Sequence, residues 1–384
     1  MGKYNFDEII NRKNTWASKW DIKEGELPMW VADMDFKTAP EIIDALKSRL
    51  DIGALGYTDV PDEWYQAYIN WWKTYHGIDI KADELVYSTG VIPTISSTLR
   101  KLATPGEKVL IQTPVYNIFY NSILNNGLTV VESPLLLKDG KYYMDFEDLD
   151  KKMSDPQVSM MILCNPANPV GRIWNKEELA KVGEIAKKNH VYVISDEVHC
   201  DITDPDKSYV PFALASDTCK EISINAIAPT KCFNIAGIQT SAVYVPNPYL
   251  RHKVFRQLNT DECGEPNFLA ITATLAAFNQ GRPWLEELKE YVRANKDYAI
   301  KYINENIKGL HALDTQATYL LWVDCREFDK YDTTVGSHIR KVSGLFVSPG
   351  EIYGDAGKGF IRINLACPRS MVEEGMDRLK KSFL

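Results

Sequence analysis

Lys231 stands in the stretch "INAIAPTKCFNIAGIQTSAVYV" (224–245), between two apolar runs that each read as a strand. A structural lysine there would snorkel its ammonium to water, whereas a lysine held in a site can form a Schiff base or move a proton. The flanks leave both readings open, so the partners must come from other strand ends. Asp196 closes the apolar run "VYVIS" (191–195). It reads either as a helix cap or as a buried carboxylate answered by a cation in a ligand. In "LCNPANPVGRIW" (163–174) each proline biases the asparagine before it toward extended geometry. Asn165 reads as part of a rigid turn, while Asn168 can aim its amide at a ligand oxygen. Arg362 lies inside the apolar run "FIRINLA" (360–366), where a structural salt bridge or a substrate carboxylate must balance its charge. The turn "STG" (88–90) runs straight into a helical pattern, and its free N–H groups and dipole end suit a phosphate.

Together these residues ask for a phosphate, a ring hydroxyl, a cationic ring nitrogen, an aldehyde for the lysine and a carboxylate substrate. Pyridoxal 5'-phosphate with an amino acid meets every one of these demands. On that reading Lys231 holds the cofactor as a Schiff base. No metal is expected, because the six histidines lie far apart and the seven cysteines show no CxxC or zinc spacing. Scattered, odd-numbered cysteines suit a reduced cytoplasm.

The elements that must position these residues follow from pattern. "KVLIQ" (108–112), "SMMILC" (159–164), "VYVIS", "EISINAI" (221–227) and "SAVYV" (241–245) read as strands separated by helices. Such alternation gives an α/β unit around a mostly parallel sheet. One long amphipathic helix is expected over 282–307, followed by an α+β pattern built on "ATYLLWVDC", "GLFVSPG" and "FIRINLA". A length of 384 residues argues for two units. We place a large α/β domain at 45–285 and a small α+β domain at 1–44 plus 286–384, with a small-molecule cleft between them. A net charge of −8 gives no footprint for nucleic acid or an anionic membrane. No apolar run reaches membrane-spanning length, and the first residues lack a signal peptide's apolar core.

The stretches "PMWVADMDF" (28–36), "DEVHCDI" (196–202), "APTKCFNIAGIQTS" (228–241), "ATYLLWVDC" (317–325) and "INLACPRS" (363–370) occur in this order. Through them nearly the whole chain resembles the fold-type I, class I/II aminotransferase superfamily, most of all its cystathionine β-lyase branch of MalY/PatB-like C–S lyases. The resemblance implies a seven-stranded-type sheet between helices and an obligate homodimer with shared sites. Residue by residue, it implies Lys231 as the Schiff-base lysine, Asp196 on the ring nitrogen and Asn168 on the ring hydroxyl. Tyr116 is implied to stack on the ring, and Gly90, Val91, Ile92 and Thr230 to cup the phosphate. Tyr57 is implied to reach the phosphate from a partner subunit. Arg362 is implied to clamp the substrate carboxylate, with Asp33, Asn168 and Tyr57 also on the substrate side. His199 replaces a tyrosine common in aminotransferases and stands near the ring, as in the lyase branch. Gln239 replaces a common phosphate-binding arginine. The activity implied is cleavage of S-substituted L-cysteines to thiol, pyruvate and ammonia. Transamination with a 2-oxo acid is the alternative, and a binding protein without turnover is a third reading.

Overall fold

The computed structural model describes residues 2–328 and 333–384. Its largest sheet is built from β1 (Leu85–Ser88), β2 (Lys108–Thr113), β3 (Thr129–Pro134), β4 (Val158–Cys164), β5 (Tyr192–Asp196), β6 (Ser223–Ile227) and β7 (Ser241–Tyr244). Their spatial order is β1-β7-β6-β5-β4-β2-β3. All neighbours are parallel except those of β7, which runs against both β1 and β6. The inner strands are near-continuous apolar runs because helices cover both faces, as a buried parallel sheet requires.

Register then sets the site. Cys164 pairs with Asp196 and Asp196 with Ala226, so β4, β5 and β6 end in line. Their following loops carry Asn168, His199 and Lys231. Because β7 runs backward, its first residue, Ser241, lies opposite Ser88 at the end of β1. That reversal brings residues 239 and 240 beside the turn at Gly90.

A second, antiparallel sheet contains β8 (His311–Ala312), β9 (Leu320–Asp324), β10 (Ser348–Pro349) and β11 (Phe360–Asn364), in the order β8-β9-β11-β10. The N-terminal arm joins this region, since Leu27–Pro28 pairs in parallel with Leu345–Phe346. The expected strand at "GLFVSPG" is therefore two short strands with different partners. The run expected to start a strand at 221 instead ends a helix, Asp217–Ile222, before β6 begins.

Helix Arg282–Asn306 buries Leu285, Leu288, Val292, Ala299 and Ile303 at helical spacing along one face. Its buried Lys296 donates to Asp204 at 2.6 Å and to the Thr315 carbonyl at 2.7 Å. The junctions expected at 44/45 and 285/286 lie within helices Pro40–Leu50 and Arg282–Asn306.

The loop after β4 is tied to the chain ahead of β9 through Gly171. Its N–H donates to the Ala167 carbonyl at 2.7 Å, and its own carbonyl accepts from Gln316 at 2.8 Å and Ala317 at 3.1 Å. Gly171 has φ +62°, and a Cβ there would lie 2.4 Å from the Thr315 Cβ. Both backbone and space demand glycine. Gly171→Ala is expected to destabilise the fold by roughly 2–4 kcal/mol, read by urea unfolding. A variant within about 0.5 kcal/mol of the parent would show that the loop accommodates a side chain.

Candidate active site

Lys231 follows β6 in a tight turn. The Phe233 N–H donates to the Pro229 carbonyl at 3.1 Å and the Ile235 N–H to the Thr230 carbonyl at 3.0 Å. These bonds turn the lysine inward, where Nζ donates to the Ala32 carbonyl at 2.7 Å. Desolvation and the positive charge of Arg362 lower its pKa to about 8, against the opposing pull of Asp33 and Asp196. Asp196, at the buried end of β5, accepts from the Val198 N–H at 3.1 Å. Burial raises its pKa to about 6, opposed by that bond and by Lys231.

His199 is buried beyond Asp196, and its Nδ1 has no partner among the described residues. Burial and the charges of Lys231 and Arg362 hold the imidazole well below its ordinary range, so it is neutral. Tyr116 borders the same space as Lys231 and Asp196, and desolvation raises its phenol pKa.

A cavity of about 260 Å³ joins Tyr116, Lys231 and Asp196 to Gly90, Val91, Ile92 and Thr230, while His199, Asn168 and Arg362 lie outside its lining. Gly90 precedes helix Val91–Leu102 without a side-chain cap, leaving first-turn N–H groups open. Gln239 also lines the cavity, from a left-handed backbone at φ 56°. A larger cleft near Glu287 and Glu290 holds none of the strand-end groups.

Arg362 is buried on β11. Its guanidinium donates to Asn168 Oδ1 at 3.0 Å and to the Trp30 carbonyl at 2.9 Å, over the ring of Tyr353. Nε has no partner, and no carboxylate pairs with this cation among the described residues. A structural salt bridge is therefore not what balances it. Asn168 thus meets Arg362 directly, a contact that neither motif revealed.

Two expected residues stand apart. Asp33 is expected on the substrate side, but its carboxylate pairs with Arg12 at 2.7 Å, so direct substrate contact would compete with that ion pair. Tyr57 is fully exposed, at 103% relative accessibility, and touches none of the site groups of its own chain.

Sequence reading missed the backbone strap formed by residues 30–35. Its carbonyls accept from Arg362 and Ser348 at Trp30, Asn364 at Val31, Lys231 and Tyr319 at Ala32, and Lys19 and Asn364 at Asp33. The motif "PMWVADMDF" was the only signal, and it marks side chains rather than these carbonyls. Glu197 was missed as well. It is buried behind Asp196, accepts from Ser195 Oγ at 2.8 Å and the Phe212 N–H at 2.9 Å, and is raised by burial to about 7.

The donor set fits pyridoxal phosphate. Uncapped helix N–H groups suit a phosphate, and a buried carboxylate with one short-range donor suits a ring cation. An amine of lowered pKa suits an aldehyde, and an unpaired buried guanidinium suits a carboxylate. Sheet and site together have the fold-type I arrangement, with a donor set that pyridoxal phosphate fits.

The model of the family "Aminotransferase class I and II" matches residues 27–379, and the chain belongs to that family. It is 39% identical to cystathionine beta-lyase PatB of Bacillus subtilis (strain 168), over 99% of this chain and 100% of that one. A PLP-bound putative aminotransferase from Clostridium difficile 630 superposes with a TM-score of 0.96 at 42% identity, covering 99% of this chain and 100% of that chain. The PLP-bound C-S lyase from Staphylococcus hominis gives a TM-score of 0.94 at 35% identity, covering 99% of each chain.

The buried Asp196 makes stability depend on pH in a definite direction. The ordinary carboxyl titrates at 3.8 and the folded one at about 6. Below 3.8 both states are protonated and burial carries no charge penalty. The penalty grows between the two values and is complete above 6. Asp196→Asn is therefore expected to stabilise the cofactor-free protein at pH 8 by on the order of 2–3 kcal/mol, and far less at pH 4. Urea unfolding at the two pH values checks this, and equal effects at both would remove the charge from the explanation.

Proposed function

We propose that the chain is a C–S lyase that cleaves S-substituted L-cysteines to thiol, pyruvate and ammonia. The observation that carries this reading is Arg362, a buried cation with no carboxylate partner among the described residues, whose charge helps to hold the Lys231 amine near pH 8. A 2-amino acid supplies the missing carboxylate and an α-proton for the amine. Resemblance to named C–S lyases favours β-elimination over transamination.

In this reading the N–H groups of Gly90, Val91 and Ile92, with Thr230, hold the phosphate. Asp196 keeps the ring nitrogen protonated, Asn168 and neutral His199 face the ring hydroxyl, and Tyr116 covers the ring. Bound pyridoxal phosphate supplies an aldehyde for the substrate amino group and a ring that draws electrons from the α carbon. Arg362 fixes the α-carboxylate and so orients the α C–H bond toward Lys231. Lys231 takes that proton at Nζ, and with a pKa of about 8 it is present as both acid and base near neutrality. Loss of the β-thiolate follows. Asp33 acts on the site through its field, which favours protonated Lys231. The Arg12 charge is committed to Asp33 and Asp35, so it is not a clamp for a second substrate carboxylate.

We also read 45–285 as the cofactor-holding unit and 1–44 with 286–384 as the smaller one. No helix among the described residues is long and apolar enough to cross a membrane. Seven unpaired cysteines support a cytoplasmic setting. The homodimer belongs to this reading too. Tyr57, Leu55 and Ile52 are exposed together on one segment, which suits a surface covered by a second copy.

With cystathionine and no oxo acid, the protein is expected to release pyruvate, ammonia and homocysteine over many turnovers, followed by chromatography. A single turnover that resumes only on adding an oxo acid would make it an aminotransferase. Lys231→Ala should lower turnover by about 10²–10⁴-fold.

Mixing tests the shared site. Chains carrying Lys231→Ala and chains carrying Tyr57→Ala should regain activity when their subunits exchange. Half the sites of a mixed dimer then combine Lys231 of one chain with Tyr57 of the other. Confirmed mixed dimers without recovered activity would place Tyr57 outside the partner's site.

A further inference from the structure

The Ala32 carbonyl accepts two hydrogen bonds, from Lys231 Nζ at 2.7 Å and from Tyr319 Oη at 2.9 Å. A carbonyl oxygen has two lone pairs, so this acceptor is saturated. Tyr319 is completely buried, and the Ala32 oxygen is its hydroxyl's partner. The phenol is aimed there by an unusual turn. Thr318, just before it, has φ 67°, a left-handed backbone that β-branched residues rarely adopt. Its N–H donates to the Ile202 carbonyl at 2.6 Å, and Ala317 bridges to Thr203. Ile202 lies three residues beyond His199 in sequence, and the His199 ring meets the Tyr319 ring edge-on at 6.1 Å. A strained residue held from both sides signals that its neighbour's direction matters.

We propose that Tyr319 is a positioning residue that fixes the Ala32 carbonyl as the acceptor for the Lys231 amine. It therefore sets where Nζ waits whenever that amine is free to take the substrate's α-proton. This rests on the reading above only in giving Lys231 that proton. In the step concerned the α C–H bond breaks, an N–H bond forms at Nζ, and the electron pair stays with the substrate. The resulting ammonium keeps its bond to Ala32 O. Tyr319 touches neither substrate nor cofactor in this scheme and acts through the carbonyl it shares.

The readout is exchange of the substrate α-proton with D₂O, a step common to elimination and transamination, so it stands even if the lyase reading fails. Tyr319→Phe should load pyridoxal phosphate with near-parental affinity and colour, yet exchange the α-proton about 10–100-fold more slowly. In a Lys231→Ala background the same change should alter the residual rate by less than about 2-fold, because its route of action is gone. An equal loss in both backgrounds, or none in either, would overturn the proposal.

A second measurement needs no change at Tyr319. Amide hydrogen exchange of residues 30–35 in cofactor-free Lys231→Ala should match the parent, since Tyr319 alone still holds the carbonyl. Loosening of that segment on loss of the lysine would overturn the proposal as well.

Discussion

A run of backbone carbonyls on the half-buried residues 30 to 33 and on buried Met34 turns toward side-chain donors, and an unpaired carbonyl there would be costly to the fold. The donors that satisfy them include the residues with chemical capacity. Arg362 takes Trp30, Lys231 and Tyr319 take Ala32, and Asn364 reaches both Val31 and Asp33. Ion pairs pin the strap as well, with Arg12 and the buried Lys19 converging on the buried Asp35 at 2.8 and 2.6 Å. Main-chain accounting and catalytic geometry are thus the same set of bonds.

The charges in this space are out of balance. Lys231 and Arg362 press on each other electrostatically, and one effect is the lowered lysine pKa. The strand-end carboxylate Asp196, which Lys231 favours, is itself disfavoured by burial. Nearby acidic groups are spent elsewhere, Asp33 and Asp35 on Arg12 and Lys19, Glu197 on Ser195 and Tyr209. An excess of positive charge and open N–H groups is a poor arrangement for an empty core. It is a good one for a phosphate dianion and a carboxylate arriving together.

The strand ends were legible in the sequence because an apolar run that stops on Asp, Asn or Lys leaves a sharp change of polarity. Arg362 was legible because a charge inside such a run demands a partner. The parallel sheet followed from the alternation of strands and helices. The strap was not legible, since a side chain bonding a carbonyl some 200 or 290 residues away leaves no spacing to read. The Asp33–Arg12 pair was not legible for a related reason: Arg12 sits in an irregular arm without periodicity. Two-residue strands such as Leu345–Phe346 are too short to show alternation at all.

The strap also fixes an order of events. Residue 32 precedes its lysine partner at 231 in synthesis, and Tyr319 and Arg362 come later still. The large sheet has all its strands by residue 244, yet Tyr319 and Arg362, which help to lock the strap in place, have still to follow. A nascent chain at that stage holds Lys231 and the uncapped helix start at Gly90, but neither Tyr319 nor Arg362. Completion of β9 and β11, rather than closure of the large sheet, is therefore what brings the donors of the strap together.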